Sequence, residues 1–338
     1  MHDKTHETIS IIIPCYNAQR WIRETLSSVL AQNIASMEII VVDDGSTDDS
    51  ARIIQQEFPA VRLLQTENRG PSHARNVGTQ ASSGTLIQYL DADDLLVPDK
   101  LNAQAHLLEE TGADVAYGDW QFLVPTSNGS FVPGQTVHRQ ITGEPEIELF
   151  TTFWCPPAAY LFRRSIVEKV GGWNERLPVI QDARFALDCA LQGGRFAYCP
   201  RLVAQYRNHR VGSVSTQNGV AFVRDVFQNA VEIHEGWQRQ GGISEQRRTA
   251  LHSVYSYIAQ STVRNDKATF EAAYGALKAL SPNGMFIPKG SPLMRITTHL
   301  IGYPRAESIA ALLRQLETLL RSTVRHYIIP SVHDSSLL

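Results

Sequence analysis

Within its first 94 residues the chain alternates four short apolar runs with helix-like segments, and few folds accept that pattern. Residues 9–13 are a continuous run rich in β-branched side chains, as expected of a strand buried on both faces, and Pro14 ends it. Ile22, Leu26, Val29 and Leu30 then recur at helical spacing. Residues 38–42, 61–64 and 85–90 read as three further strands, separated by helices over 46–57 and 72–81. Such alternation predicts an α/β fold with a mainly parallel, doubly wound sheet flanked by helices.

The pattern then loosens. The sequence predicts a helix over 98–110 with Pro98 in its first turn, a strand over 115–122, and a loop-rich insertion over 125–146. Residues 160–162 return to strand. Helices over 165–170 and 181–192 are closed by Gly171-Gly172 and Gly193-Gly194. Beyond about Gly219 only helices are expected: 220–237, 245–263, 269–280 and, after a linker over 282–292, 305–325. The expected division is a first domain over 1–218 and an α-helical C-terminal region over 219–338.

Of the 338 residues, 43% are hydrophobic and 19% charged, ample material for a soluble core. The net charge of −3 gives no reason to expect nucleic-acid binding. Cys15, Cys155, Cys189 and Cys199 show no metal-ligand spacing and read as reduced thiols. Residues 1–8 are polar, without the character of a secretory signal, and no apolar run approaches the ~20 residues of a membrane span. A cytoplasmic protein is expected.

The chemistry lies at strand ends. The fourth run passes into Asp91-Ala92-Asp93-Asp94, which sets two carboxylates close enough to share one divalent ion. The second run delivers Asp43-Asp44-Gly45-Ser46. A turn with a helix cap accounts for Ser46 or Asp48. It does not account for two successive acids at the end of a buried strand. Together the clusters predict one pocket at the carboxyl edge of the sheet. Hard oxygen ligands there suit Mg²⁺ or Mn²⁺.

Four motifs in order, Ile11-Ile12-Ile13-Pro14-Cys15-Tyr16-Asn17, Val42 to Asp48, Asn68-Arg69-Gly70 with Ala74-Arg75-Asn76, and Leu90 to Asp94, resemble those of family 2 glycosyltransferases. The resemblance covers roughly residues 8–215. It implies a GT-A fold and inverting transfer of a sugar from a nucleotide-sugar, commonly a UDP-sugar, to a glycan or lipid-linked acceptor, by family habit in bacterial surface polysaccharide synthesis. It implies nucleotide-sugar contacts from Pro14, Tyr16, Asn17, Asp43, Asp44, Arg75, Asp91 and Ala92. Asp93 and His209 are the implied metal ligands, and His209 falls in Tyr206-Arg207-Asn208-His209-Arg210, which resembles the family's closing motif.

The general base is implied at Asp182, where Gln181 replaces the family's usual preceding acid. Trp173 and Gln181 are the implied acceptor contacts. A sugar nucleotidylyltransferase would need a glycine-rich loop after the first strand, and residues 14–20 contain no glycine. A non-catalytic nucleotide-sugar binder finds support in Gln181 alone. The apolar face of 305–325, flanked by Arg305, Arg314, Arg321 and Arg325, suits a helical subdomain, a homodimer contact or an anionic membrane surface.

Overall fold

In the computed structural model, residues 8–34, 36–208, 219–281 and 292–328 are described, with side chains described as far as residue 316. Two compact units divide the chain, 1–225 and 226–338. Four parallel strands begin the first unit: β1 (Ile9–Cys15), β2 (Met37–Asp43), β3 (Arg62–Gln65) and β4 (Leu86–Tyr89). They lie in the order β3-β2-β1-β4, so β1 pairs with β2 on one side and β4 on the other. The β-branched run that marked β1 is fully buried, with Ile11, Ile12 and Ile13 at 0% exposure.

Helices α1 (Ile22–Leu30), α2 (Ser50–Glu57) and α3 (Pro71–Ala81) join these strands, as the alternation requires. α3 lies unusually close to the sheet, because a Cβ added at Gly78 would stand 2.4 Å from Ile12 Cγ2. Its start is set by Gly70 at φ 92°, a conformation favouring glycine, followed by Pro71 with its preset helical φ.

Past β4 the sheet becomes mixed. After the two-residue β5 (Leu95–Leu96) and α4 (Lys100–Thr111) come β6 (Val115–Pro125), β7 (Phe131–Val137), α5 (Pro145–Thr151), β8 (Tyr160–Arg163), α6 (Arg164–Val170), α7 (Gln181–Leu191) and β9 (Phe196–Arg207). The sheet continues β4-β8-β6-β9-β5, with β7 hydrogen-bonded to β6. β8 runs antiparallel to both neighbours, while β6 and β9 are parallel.

The insertion over 125–146 is therefore not simply loop. It holds β7 and the start of α5, and β7 folds back on β6 with an irregularity opposite Pro133. Neither β5 nor β9 was expected. All four cysteines are free and buried.

The division at residue 225 falls inside α8 (Gly219–Arg239). The second unit continues with α9 (Glu245–Thr262), α10 (Lys267–Leu280), α11 (Pro292–Ile301) and α12 (Tyr303–Ile328). Ser244 and Asp266 cap α9 and α10 through their side chains. α11 corrects the expected end of the linker at residue 292, since that proline opens a helix. No described helix is long and apolar enough to cross a membrane.

Candidate active site

The loops after β1 and β2 are laced together by the residues that drew attention in the sequence. Asn17 adopts φ 50°, a left-handed conformation that asparagine tolerates. Its N–H donates to Ser46 Oγ (3.0 Å) and its Oδ1 accepts from the Thr47 N–H (2.8 Å). Pro14, within β1, pairs with Val42, and Tyr16 stands 53% exposed beside the lacing.

Asp43 and Asp44 are nearly inaccessible, at 2% and 3% exposure. Asp43 Oδ1 accepts from the Ser46 N–H (3.2 Å), which makes it a turn-former. The Asp44 carboxylate accepts the N–H groups of Arg69 (2.9 Å) and Gly70 (2.8 Å), one on each oxygen. Asp44 thus ties the end of β2 to the start of α3, a bracing role that the motif alone did not reveal.

α3 carries Arg75 against the acidic turn that follows β4. Arg75 is 2% exposed, and its Nη2 donates to Asp91 Oδ1. Its guanidinium carbon lies 4.3 Å from the centre of the Trp173 ring. Nε and Nη1 are buried and have no hydrogen-bond partner among the described residues. A buried cation with two unmade bonds is costly.

Burial pushes the Asp91 carboxyl above its ordinary range; the charge of Asp93 adds to this, and Arg75 opposes it. Asp94 is raised well above its usual value, first by burial and then by Asp93 and Asp91. Asp91 and Asp93 supply hard oxygen donors of the kind that suits a divalent cation. Among the described residues, no three His, Cys, Asp or Glu side chains converge as a ready-made cluster. His209 lies outside the described residues. Ala92, expected as a nucleotide contact, is 7% exposed and its carbonyl accepts from Thr25 Oγ1 (2.9 Å).

The acidic turn is clamped from β9 by Arg207, a role invisible in the sequence. The Arg207 N–H donates to Asp94 Oδ1 (2.9 Å), its Nε to the Asp93 carbonyl (2.7 Å), and its Nη2 to Glu24 (2.8 Å). Its guanidinium lies against Trp21 and Phe131, at 4.3 and 4.8 Å. Arg207 also lines a cavity of about 460 Å³ with Arg20, Trp21, Glu24 and Phe131, and none of Asp91, Asp93 or Asp182 lines it.

Asp182 occupies the first turn of α7, where the helix dipole favours a carboxylate. Its Oδ2 accepts from the Trp154 indole N–H (2.8 Å) and its Oδ1 from the Ala183 N–H (2.7 Å). Burial raises its pKa and the charge of Asp91 adds to this, while the Trp154 and Ala183 donors and Arg75 hold it down. Tyr206 is raised as well, first by burial and then by Asp94, Asp91, Asp182 and Asp93. One set of carboxylates thus acts on the phenol, although the sequence left Asp182 about 90 residues from the others.

Trp173 and Gln181, the expected acceptor contacts, both have partners within the chain. Trp173 is 5% exposed, stacked on Phe185 at 4.3 Å with parallel rings and faced by the Arg75 guanidinium, so it supports Arg75 from the core. Gln181 turns its Oε1 to the Asp182 N–H (2.9 Å). The aromatic group beside Asp182 is instead Trp154, with Tyr206 and Trp120 at 5.5 and 5.2 Å from its ring.

The α/β fold of the first unit, a sheet flanked by helices with an acidic turn at the carboxyl end of β4, is GT-A-like, as in the solved structures below. Residues 10–171 match the model of glycosyl transferase family 2. An uncharacterized glycosyltransferase of Rickettsia felis is 38% identical over 136 residues, 39% of this chain and 22% of that protein. The chain thus spans about a fifth of the length of that relative.

EpsJ of Bacillus subtilis, also described as an uncharacterized glycosyltransferase, is 29% identical over 57% of each chain. Staphylococcus aureus TarS 1-349, solved with UDP-GlcNAc, shares the fold at a TM-score of 0.63 and 18% identity, over 89% of this chain and 90% of that one. The Pyrobaculum calidifontis mannosyltransferase PcManGT, solved with GDP-Man and Mn²⁺, aligns at 0.55 and 19%, over 93% and 88%.

Proposed function

We propose that this chain transfers a sugar from a nucleotide-sugar, a UDP-sugar in particular, to a hydroxyl of a glycan or lipid-linked acceptor, with inversion at the anomeric carbon. The observation that carries this reading is the buried Arg75 guanidinium, bonded to Asp91 on one side and unsatisfied at Nε and Nη1. A diphosphate supplies the paired, charge-assisted acceptors that such a group lacks. The nucleotide-diphosphate sugars bound by TarS and PcManGT support this donor class.

Asp91 and Asp93 would hold Mn²⁺ or Mg²⁺, which when bound offsets charge on the departing diphosphate. Arg75 binds the diphosphate from the α3 side. Asp182 takes the proton from the acceptor hydroxyl as its oxygen attacks the anomeric carbon, so the bond to the nucleotide breaks as the new one forms. The base position of the family's motif falls on Asp182, whose carboxylate is held by Trp154 and Ala183. A single base with no carboxylate nucleophile gives inversion. Tyr16, Asn17, Asp43 and Asp44 shape the nucleoside side of the site.

The setting is the cytoplasmic face of a membrane in surface polysaccharide synthesis. Support comes from the second unit, where Leu293, Ile296 and Leu300 of α11 and Ile309, Leu313 and Leu316 of α12 are exposed. Residues 292–328 carry five arginines (295, 305, 314, 321, 325) against two glutamates (307, 317), although the whole chain has a net charge of −3. Exposed apolar side chains on a stretch of this composition suit anionic lipid.

Calorimetry with UDP, TDP and GDP, in Mn²⁺ and in chelator, tests the donor reading. Binding of one nucleotide that is lost in chelator is expected. Failure to bind any of them in Mn²⁺ would overturn it.

A further inference from the structure

Trp154 was not singled out by any motif, yet its position is set by packing from three directions. It lies in the segment between α5 and residue 157, with its ring edge-on to Trp120 of β6 (5.2 Å, 87°) and to Tyr206 of β9 (5.5 Å, 80°). Trp120 and Tyr206 also contact each other at 5.8 Å, closing the group. Rings held by both strands leave the indole little freedom to turn. Its single polar atom, Nε1–H, then points at Asp182 Oδ2, 2.8 Å away on α7.

We infer that Trp154 is a positioning residue for the reaction: its indole N–H fixes the orientation of the Asp182 carboxylate and stabilises its ionised form. The inference rests on the reading of Asp182 as the base.

A base needs both properties. An unheld aspartate turns about χ2, and a proton acceptor is useful only within hydrogen-bond reach of its proton. With Oδ1 on the Ala183 N–H and Oδ2 on Trp154, both oxygens have fixed places, and each keeps a lone pair for an incoming hydroxyl. The surroundings otherwise favour the neutral acid. Asp91 and Arg75 face Asp182 with opposite charges, and the phenols of Tyr160 and Tyr206 feel its charge from β8 and β9. Arg75 would be drawn to an arriving diphosphate, which weakens its hold on Asp182 just when the base must act. The indole donor is neutral and is unaffected by that change.

The direct readout needs no substrate. In ¹⁵N-tryptophan-labelled protein, the Trp154 indole resonance is assigned by its loss in Trp154→Phe. It should titrate with a single transition and lose that transition in Asp182→Asn. Trp154→Phe keeps a ring in the slot and removes only the donor. In UDP release from UDP-GlcNAc with Mn²⁺ and no acceptor, its acid limb should move up by about one pH unit, with UDP affinity unchanged.

If Trp154→Phe does not fold, site-specific benzothienylalanine, which has sulfur in place of N–H in the same shape, gives the same comparison. An indole resonance indifferent to pH and to Asp182→Asn would overturn the inference. So would an acid limb that stays in place while the rate falls equally at every pH. Retained release in Asp182→Asn would instead remove the base reading beneath it, a separate and recognisable failure.

Discussion

Replacing Arg75 with methionine separates its function from its place in the core. Methionine fills much the same volume and keeps contact with the Trp173 ring through its thioether. The variant loses a bond to Asp91 and a cation at 2% exposure that has two unmade hydrogen bonds. Removing that burden offsets much of the loss, and the Asp91 side chain, 30% exposed, can be rehydrated. Stability without ligand should therefore change by no more than about 1 kcal/mol.

Donor binding has no such offset. Two charge-assisted bonds from Nε and Nη1 to a diphosphate, each worth about 1.5 kcal/mol at the low end, amount to about 3 kcal/mol. The Kd for UDP in Mn²⁺ should then rise about 100-fold. Calorimetry gives the Kd and denaturant unfolding the stability. A Kd within threefold of the parent would refute the reasoning, most clearly if stability had collapsed, because Arg75 would then be a structural residue.

Burial and Asp91 raise the Asp182 pKa, and a base must be ionised, so activity should climb with pH through a limb above the ordinary carboxylate value near 4. A rate already flat at pH 4 to 5 would contradict that environment. Asp44→Asn puts an amide N–H₂ against the N–H of Arg69 or Gly70, and should cost about 1–3 kcal/mol in denaturant unfolding and weaken UDP binding through α3. Vesicles with anionic lipid should sediment the full chain where neutral ones do not, and Leu313→Ser with Leu316→Ser should abolish this. A double variant that still sediments, or that turns a dimer into a monomer, would remove the lipid assignment.

Parts of the site were legible because the physics behind them is local. A buried strand that runs straight into acids must present them at the sheet edge, which brought Asp91 to notice, while Arg75 was reached through the family resemblance. Arg207 was hidden because its partners Asp94, Asp93 and Glu24 lie 113, 114 and 183 residues away. Trp154 was hidden for the same reason, 28 residues from Asp182 and with no motif joining them.

The burial of Trp173 was not legible because an aromatic in Gly-Gly-Trp-Asn reads as a loop ring, while its contacts come from α3 and α7 together. β9 escaped notice because Pro200 interrupts it and its register against β6 shifts between Gly118 and Trp120. β7 contains Pro133 and Gly134, residues that weaken a strand pattern but are tolerated at an edge that pairs on one side only. In α11, Pro292 looked like the end of a linker, yet proline is well suited to a first helical turn.

The central claim is that Asp182 acts as the base on a donor held by Arg75 and the acidic turn. The most direct test measures UDP release from UDP-sugars in Mn²⁺ alongside UDP affinity, in the parent chain and in Asp182→Asn. The account predicts that release falls about 10³-fold while the affinity stays within a few-fold of the parent. Release that survives the substitution, or affinity lost with it, would contradict the assignment.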